Sequence, residues 1–356
     1  MVERLLEGIH SGSFAPGDKL PTETELARLF SASRSTVARA MRELKNRGLL
    51  NRRRGGGTSI ARSSAKEVAL FTPFARTAGN LGYIGDQIHA HLSDVACRGR
   101  SHLRLQLVPR SDDVRLEPIL GATKSLIDEG VQGVFFYPHE LAPEQAHFNR
   151  IVAEKLTEVG VAVVCIDRDI TTFPERSNYP LVTFDNRRGG YLITQHLIQR
   201  GCKRIAFLTT PHISSAAADR VRGYRDAMED AGMHLDRSFV RAARFHDINF
   251  EFCKSMMDDL KPDAIVCKMD HYAALVGRHL TTLGVSIGKD VRLAGFDNQP
   301  IAEMLPVPLT TIRFPADAFA TVAYSRLIEQ MASPKELLAG ATYIDVELIV
   351  RESTGA

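Results

Sequence analysis

Acidic side chains follow several apolar runs of this sequence. Asp167, Asp270 and Asp297 each lie within three residues after such a run, and Arg168 follows the first of them directly. Carboxylates accept hydrogen bonds from hydroxyl groups, and an arginine donates to adjacent hydroxyls. If the apolar runs are parallel strands, their carboxyl ends line one cleft. The pattern indicates a cleft that suits a carbohydrate.

The same residue types have a second explanation. Asp and Asn after a strand are common turn formers and helix caps, and this is the usual explanation for any one of them. For Asp185 and Asn186, which precede Gly189 and Gly190, we prefer it and predict a cap. For the other aspartates both explanations stay open.

Motifs of several enzyme classes are missing or broken. No G-x-G-x-x-G follows the first strand-like run at 68–71, and the sequence has no H-E-x-x-H. The string 284–290, GVSIGKD, is one residue short of a phosphate-binding loop and ends without Ser or Thr. We predict a helix-to-strand turn there. No residue set offers a positioned nucleophile or a paired acid and base, so we predict no enzyme and no cofactor.

Metal-binding patterns are also missing. The five cysteines are scattered and never form a C-x-x-C pair, which argues against a disulfide framework or a cysteine zinc site. The twelve histidines do not cluster at ligand spacing. His89 and His91 lie two residues apart in a helical pattern and therefore point in different directions. The sequence predicts no metal site.

A helix that Ser33 can cap carries its cations away from its apolar face. The apolar face comprises Val37, Ala40, Met41 and Leu44. The opposite face and the amino end comprise Arg34, Ser35, Thr36, Arg39, Arg42 and Asn46. Such a helix fits the major groove of DNA, where arginines pair with guanine edges and hydroxyls suit phosphate oxygens. A charged helix face taken alone is more often solvated surface.

The neighbouring elements occur in the order that a winged helix-turn-helix requires. A helical pattern covers 2–11, and Thr22 with Glu25 forms the capping box of a second helix. After the third helix, three arginines at 52–54 flank a hairpin tip of glycines that can approach the minor groove. The combination favours DNA binding. The candidate DNA-binding residues are Arg34, Ser35, Thr36, Arg39, Arg42, Arg54, Gly55, Gly56 and Gly57.

The rest of the chain alternates apolar strand-like runs with helical patterns. The runs lie at 68–71, 103–108, 131–137, 161–166, 181–184, 204–208, 263–267, 291–296, 309–313 and 343–350. Strand–helix alternation indicates parallel sheets with helices on both faces. Ten strands exceed a comfortable single sheet, which predicts two similar lobes. We therefore predict an α/β chain with a winged-helix domain at 1–62, a polar linker at 63–67 and a two-lobed body at 68–356.

Composition and charge agree with this division. The chain has 356 residues, of which 44% are hydrophobic and 24% charged, as in ordinary globular proteins. Residues 1–64 contain 12 Lys and Arg against six Asp and Glu, whereas the remainder is slightly acidic, so only the head suits a polyanion. We find no bilayer-length apolar run and no signal peptide, and with scattered cysteines this predicts a cytoplasmic protein.

The head resembles the GntR-type winged helix over residues 3–61. The matching strings are 14–27 (FAPGDKLPTETELA), 33–49 (SRSTVARAMRELKNRGL) and 55–58 (GGGT). The resemblance implies that Arg34, Ser35 and Thr36 contact DNA and that the glycines at 55–57 form the wing tip. Thr24 and Ala38 stand where many relatives carry arginine, which bears on the preferred operator sequence.

The body resembles the LacI-type effector domain, which is related to periplasmic sugar-binding proteins. The matching strings include DNxxGG at 185–190, RxxGY at 220–224, PDAI at 262–265, GFD at 295–297 and RxS at 351–353. The resemblance implies a two-lobed, periplasmic-binding-protein-like fold and a small-molecule effector in its cleft. It places the effector on Asp167, Arg220, Asp270, Asp297 and, as a stacking ring, Phe74, while Met269 replaces the family's usual asparagine.

Together the two halves resemble the hybrid arabinose-type repressors. The resemblance implies a ligand-responsive transcription regulator, a repressor of carbohydrate-use genes that binds double-stranded operator DNA as a homodimer and responds to a sugar. The alternative is a periplasmic solute-binding protein, which the basic head and missing signal sequence oppose. A sugar-modifying enzyme on the same scaffold is a third possibility, and the lack of a catalytic residue set opposes it.

Overall fold

The structure is a computed structural model of the chain. It describes residues 18–46, 50–53, 57–60, 65–75, 83–109, 115–138, 147–171, 174–211, 215–234, 236–332 and 339–355. The chain divides into two compact units, Met1–Lys66 and Glu67–Ala356. We call these units the head and the body. Their boundary lies inside the linker proposed at 63–67.

The head contains two helices and a hairpin in its described part. These are α1 (Glu23–Leu29), α2 (Arg34–Asn46), β1 (Leu50–Arg53) and β2 (Gly57–Ile60). The capping box is confirmed, because the Thr22 side chain accepts from the Glu25 backbone while the Glu25 carboxylate accepts from the Thr22 backbone. The antiparallel hairpin is also confirmed. The helix predicted over 2–11 lies outside the described residues.

The body contains two six-stranded sheets with helices between the strands, which confirms the predicted α/β class. In chain order its elements are β3 (Lys66–Ala75), α3 (Tyr83–Arg98), β4 (Ser101–Pro109), α4 (Leu116–Asp128), β5 (Gly133–Phe136), α5 (His147–Glu158), β6 (Ala162–Ile166), β7 (Leu181–Phe184), α6 (Asn186–Gln199), β8 (Ile205–Thr209), α7 (Ser215–Asp230), β9 (Val240–Ala242), α8 (Phe250–Leu260), β10 (Ala264–Cys267), α9 (Asp270–Thr282), β11 (Arg292–Phe296), α10 (Pro300–Met304), β12 (Thr310–Arg313), α11 (Ala316–Ala332), β13 (Ala341–Ile344) and β14 (Glu347–Ile349).

Each sheet forms the centre of one lobe. The strand order is β13-β7-β6-β5-β3-β4 in lobe 1 and β14-β12-β11-β10-β8-β9 in lobe 2. The central pairs of both sheets are parallel, and β14 runs antiparallel to β12. In parallel sheets the carboxyl ends of the strands share one edge, where ligands bind. That edge carries the residues following β6, β10 and β11.

The chain passes between the lobes three times. It crosses at Asp185 between β7 and α6, at Phe314 between β12 and α11, and at Asp345 between β13 and β14. The prediction of one strand over 343–350 was therefore wrong. Both strands are half-buried at sheet edges, so the apolar pattern continues while the chain changes sheets. The prediction also missed β9, which has only three residues.

Two helices of lobe 2 pack at very short distance. A Cβ at Gly190 in α6 would overlap the Arg220 carbonyl oxygen, and a Cβ at Gly223 in α7 would overlap the Arg187 carbonyl oxygen. Because neither backbone carbonyl can move without its helix, only glycine fits at these positions. The contact holds α6 and α7 together as one block.

Alanine at Gly223 is expected to destabilise the protein by at least about 1–3 kcal/mol, the usual cost of overpacking a core. Gly121 in α4 provides the matched control, because a Cβ there meets nothing within 4 Å. Gly121→Ala is expected to stabilise by about 0.5–1 kcal/mol through helix propensity. Urea unfolding of both variants measures the difference. Equal effects would contradict the close contact of α6 with α7.

Candidate effector-binding site and DNA-binding surface

A buried polar cluster lies at the end of β6 in lobe 1. Asp167 follows the strand directly, and a φ of 67° turns its backbone away from the sheet. The hydroxyl of Tyr137 donates to Asp167 Oδ2 at 2.7 Å, and Arg168 donates to the same oxygen at 2.8 Å. The Arg168 guanidinium lies 5.0 Å from the Tyr137 ring centroid. The cluster presents a carboxylate and a guanidinium whose positions are set before any ligand binds.

Lobe 2 carries a second such cluster at the end of β11. Asp297 follows this strand with a φ of 97°. Its Oδ1 lies 3.6 Å from Arg220 NH2, and its Oδ2 accepts from Gln299 Nε2 at 3.2 Å. The Arg220 guanidinium stacks over Phe296 and Phe314, 4.7 and 4.9 Å from the two ring centroids. Asp297 therefore occupies in lobe 2 the position that Asp167 occupies in lobe 1.

The two clusters share one electrostatic environment. Burial raises the pKa of Asp297, the positive charge of Arg220 lowers it, and the negative charge of Asp167 in the other lobe raises it further. An electrostatic effect of Asp167 on the pKa of Asp297 requires that the two carboxylates lie near each other. Lys268, which follows β10, also lowers the pKa of Asp297. Arg220 thus pairs with Asp297, Asp167 lies close enough to affect that carboxylate, and the binding of an effector by these three residues stays a prediction.

Asp270 is a buried neighbour of Asp297 whose carboxylate is bonded within the protein. It is fully buried, its Oδ1 accepts from the Thr311 hydroxyl at 2.7 Å, and its Oδ2 accepts from the Gln299 backbone at 2.7 Å. These bonds join α9, β12 and the loop that holds Asp297. Both oxygens are therefore engaged within the protein, and the predicted contact of Asp270 with an effector stays a prediction.

Burial, followed by the charge of Asp297, raises the pKa of Asp270 to about 8. In the unfolded chain its pKa is near 3.9. The folded state therefore binds a proton that the unfolded state has released between these values, so this group lowers stability as the pH rises from about 4 to 8. Asp270→Asn is expected to flatten that dependence. Urea unfolding at pH 5 and pH 8 measures it, and identical pH slopes for variant and wild type would contradict the assignment.

The predicted helix cap at Asp185 is confirmed, and the effector candidate Phe74 is untested. Asp185 caps α6 by accepting from the Arg188 backbone at 2.9 Å, as predicted. Asn186, its neighbour, instead binds Arg220 Nε through Oδ1 at 2.8 Å. Phe74 lies near the end of β3, and its side chain is outside the described residues, so its stacking role stays a prediction.

Sequence reasoning missed several residues of the cleft. Tyr137 ends an apolar run in which an aromatic residue gives no sign of a polar role. Arg168 was noted beside Asp167 but was not selected, although its position was the available signal. Gln299 and Asn186 contact the selected residues through segments that are distant along the chain. Only their spatial contacts reveal them.

In the head, α2 presents its cations to solvent. Arg34, Arg39 and Arg42 are exposed, while the opposite face of the helix is buried against Leu26 and Leu50. Ser33 caps the helix, since its hydroxyl accepts from the Thr36 backbone at 3.1 Å. Ser35 and Thr36 are exposed at the amino end of α2, as an anion-binding surface requires.

The tip of the hairpin is described only in part. Gly57 begins β2 with a φ of 82°, a conformation that favours glycine. Arg54, Gly55 and Gly56 lie outside the described residues, so their contact with DNA stays a prediction. The Leu20 backbone N–H donates to the Thr58 carbonyl oxygen at 2.9 Å. This bond ties the hairpin to the segment that leads into α1.

The part of the chain that the structure describes shows neither a metal-binding cluster nor a membrane-spanning helix. Across the described ranges, no three His, Cys, Asp or Glu side chains are grouped so that they could hold a metal ion. No helix in the described part of the chain is both long and apolar enough to cross a bilayer. The string at 284–290 forms the turn between α9 and β11, as predicted, with positive φ at Gly284 and Gly288.

Comparison with known families assigns both parts of the chain. Residues 1–60 match the bacterial regulatory proteins of the gntR family, and residues 194–354 match the periplasmic binding protein-like domain. The chain is a transcription regulator that joins a gntR-type head to a periplasmic binding protein-like body. In this regulator the gntR match covers the head that carries α1 and α2, and the second match covers lobe 2, α11 and the last two strands.

Curated relatives share this organisation to different extents. The regulator is 29% identical to the arabinose metabolism transcriptional repressor of Geobacillus stearothermophilus, over 99% of this chain and 96% of that one. It is 25% identical to the HTH-type transcriptional regulator DegA of Bacillus subtilis, over 80% of this chain and 85% of that one. It is 29% identical to the ribose operon repressor of Halalkalibacterium halodurans, over 55% and 57%. These relatives favour a regulator over the alternative of a solute-binding protein.

Solved structures share the fold. A complex of the transcriptional regulator CelR with cellobiose has a TM-score of 0.70 at 22% identity, covering 94% of this chain and 100% of that one. The lac repressor dimer bound to operator and an anti-inducer has a TM-score of 0.66 at 20% identity, covering 82% and 95%. At this identity the likeness concerns the fold, which is the predicted two-lobed body.

Proposed function

We propose that this regulator represses carbohydrate-use genes by binding operator DNA through α2 and the hairpin, and that a sugar in the body's cleft controls it. One observation carries the effector half of the proposal. Asp167, paired with Arg168, and Asp297, paired with Arg220, follow corresponding strands of the two lobes, and Asp167 raises the pKa of Asp297. A ligand between them contacts both lobes at once.

The chemistry of the clusters suits a polyhydroxylated ligand. Carboxylate oxygens accept from hydroxyls and guanidinium groups donate to them, so neighbouring hydroxyls of one ring find both kinds of partner. Gln299 Oε1, which is buried, has no hydrogen-bond partner among the described residues and adds an acceptor. Each carboxylate is accompanied by an arginine, which favours a neutral ligand over a charged one. These properties together favour a sugar.

The names of the relatives suggest which sugars to test first. One is a repressor of arabinose metabolism and another of a ribose operon, and a solved relative holds cellobiose. All are regulators rather than enzymes, and we propose the same for this chain. We also propose that it needs no cofactor and acts in the cytoplasm, where its DNA lies.

The sugar acts by favouring one arrangement of the lobes. A ligand shifts such an equilibrium only through its differential affinity for the two arrangements. Typical coupling energies of about 1–3 kcal/mol change operator affinity by roughly 5- to 150-fold. We propose a homodimer, because two heads on a near-palindromic operator double the contacts and make binding sensitive to the geometry of the bodies.

Thermal unfolding of the full chain with L-arabinose, D-ribose and cellobiose tests the effector. Ligand at 100 times its Kd stabilises the folded state by about 2.7 kcal/mol, so one sugar is expected to raise the Tm by several degrees. The same sugar must change the affinity for an operator fragment selected from random duplexes by the full chain. Failure of every neutral sugar, with a positive response to an amino acid or a nucleobase, would contradict the proposal.

A further inference from the structure

Asn186 lies at the first crossing between the lobes, and its side chain is bound on both sides. It is buried, its Nδ2 donates to the Phe184 carbonyl at 3.0 Å, and its Oδ1 accepts from Arg220 Nε at 2.8 Å. Phe184 is the last residue of β7 in lobe 1, whereas Arg220 belongs to α7 in lobe 2. One amide therefore joins the end of a lobe 1 strand to the arginine of the lobe 2 cluster.

The bond to Phe184 spans the residue at which the chain changes lobes. Asp185 has φ −74° and ψ 75°, so its backbone is not yet helical although it caps α6. Rotation of one lobe against the other requires changes in the dihedral angles of a few such residues. Because Asn186 Nδ2 binds the carbonyl just before Asp185, the bond restrains these dihedral angles.

Arg220 also contacts an aromatic ring at the second crossing, and that ring contacts another beside the first. Its guanidinium stacks over Phe296 and Phe314, and the Phe314 ring lies 4.6 Å from that of Phe184. The Phe184 ring in turn lies 4.7 Å from Phe319 of α11 in lobe 1. The Arg220 guanidinium therefore contacts Phe314 at the second crossing directly. The hydrogen bond to Asn186 Oδ1 helps to hold the guanidinium in this position.

Lobe 2 carries Asn186 and Arg220 as one block. Gly190 and Gly223 bring α6 and α7 into backbone contact, so the two residues cannot separate by sliding of their helices. A displacement of the guanidinium is transmitted to the amide, because the Nε–Oδ1 bond is short and both groups are nearly buried. The amide can pass that displacement only to the Phe184 carbonyl.

We propose that Asn186 is a positioning residue that couples occupation of Arg220 to the angle between the lobes. This inference rests on the proposed function, since it assumes that a sugar engages Arg220 and that operator affinity responds. In the unliganded chain the amide holds both the guanidinium and the Asp185 backbone. When the sugar draws the guanidinium into the cleft, the amide follows and the restraint on Asp185 changes.

Two variants distinguish a residue that couples the two lobes from one that only holds Arg220 in place. Asn186→Asp keeps an oxygen for Arg220 Nε and loses the donor to Phe184, whereas Asn186→Ala loses both bonds. The matched control is Asn249→Asp, because Asn249 caps α8 through an oxygen that accepts from the Phe252 backbone, far along the chain from any crossing. Aspartate caps helices as well as asparagine does.

The measurement is the ratio of operator Kd with and without L-arabinose, or with the sugar of the thermal screen that binds. It uses the full chain and a sugar concentration that saturates each variant, as determined by calorimetry. The N186D ratio is expected to fall to within about threefold of one, while the N249D ratio keeps its wild-type value. A melting curve checks folding, and if N186D does not fold, N186A decides by the same criterion.

An unchanged ratio in N186D overturns the inference and leaves the proposed function standing. A weaker sugar Kd with an unchanged ratio also overturns it, because Asn186 then serves only to hold Arg220. If no sugar changes the operator Kd of the wild-type chain, so that the ratio stays at one, the proposed function fails, and the inference fails with it. A merely structural role does not lower the ratio at saturating sugar in a folded variant.

Discussion

Arg220→Met is expected to weaken sugar binding at least about 100-fold while leaving sugar-free operator binding unchanged. The arginine is the donor of the lobe 2 cluster, and its guanidinium is held by Asn186, Asp297 and two aromatic rings before any ligand arrives. Loss of a buried charged donor leaves ligand hydroxyls and Asp297 unpaired, which costs about 2–3 kcal/mol or more. Methionine retains most of the apolar contact with the rings.

Arg222→Met provides the matched control for this change. Arg222 lies two residues further along α7, is partly exposed and pairs with Asp219 at 2.6 Å, so its loss removes one charge from the same helix without touching the cleft. Calorimetry with the sugar from the thermal screen measures both variants. Full affinity in Arg220→Met would move the effector site away from this cluster.

Arg34→Ala is expected to reduce specific operator affinity by about 10- to 100-fold, the range for loss of a base-contacting arginine. Arg34 is exposed at the amino end of α2, beside the hydroxyls of Ser35 and Thr36. The sugar Kd is expected to stay at its wild-type value, because Arg34 belongs to the other compact unit. Gel-shift titration at fixed salt measures the operator affinity.

Arg278→Ala is the control for the head variant, since it removes one exposed arginine from α9 of the body. It is expected to leave operator affinity within about twofold of wild type. A salt titration adds a second check, because each phosphate contact contributes about −0.9 to the slope of log K against log salt. A flat salt dependence in the wild-type chain would argue against DNA as the partner of the head.

Much of the site could be predicted because its residues carry local signals. Asp167 and Asp297 end apolar runs, and Arg34, Arg39 and Arg42 share a face that a helical period defines. Arg220 carries no such signal and was selected only through the resemblance of its motif to a known family. Tyr137 and Gln299 could not be found in this way, because their roles come from contacts with Asp167 and Asp297 across the fold.

The sequence by itself determined α1 and α2 of the head, the helix caps at Thr22, Ser33 and Asp185, most strands of both lobes and the cationic face of the head. These features depend on the periodicity of apolar residues and on contacts between residues a few positions apart. Both can be read from a short segment of sequence. Only the tertiary structure decided that the run at 343–350 divides between two sheets, that the Asp270 carboxylate is bonded within the protein, and that Asn186 joins the lobes. Each of these depends on segments tens of residues apart, whose pairing is set by the packing of the whole body and not by local pattern.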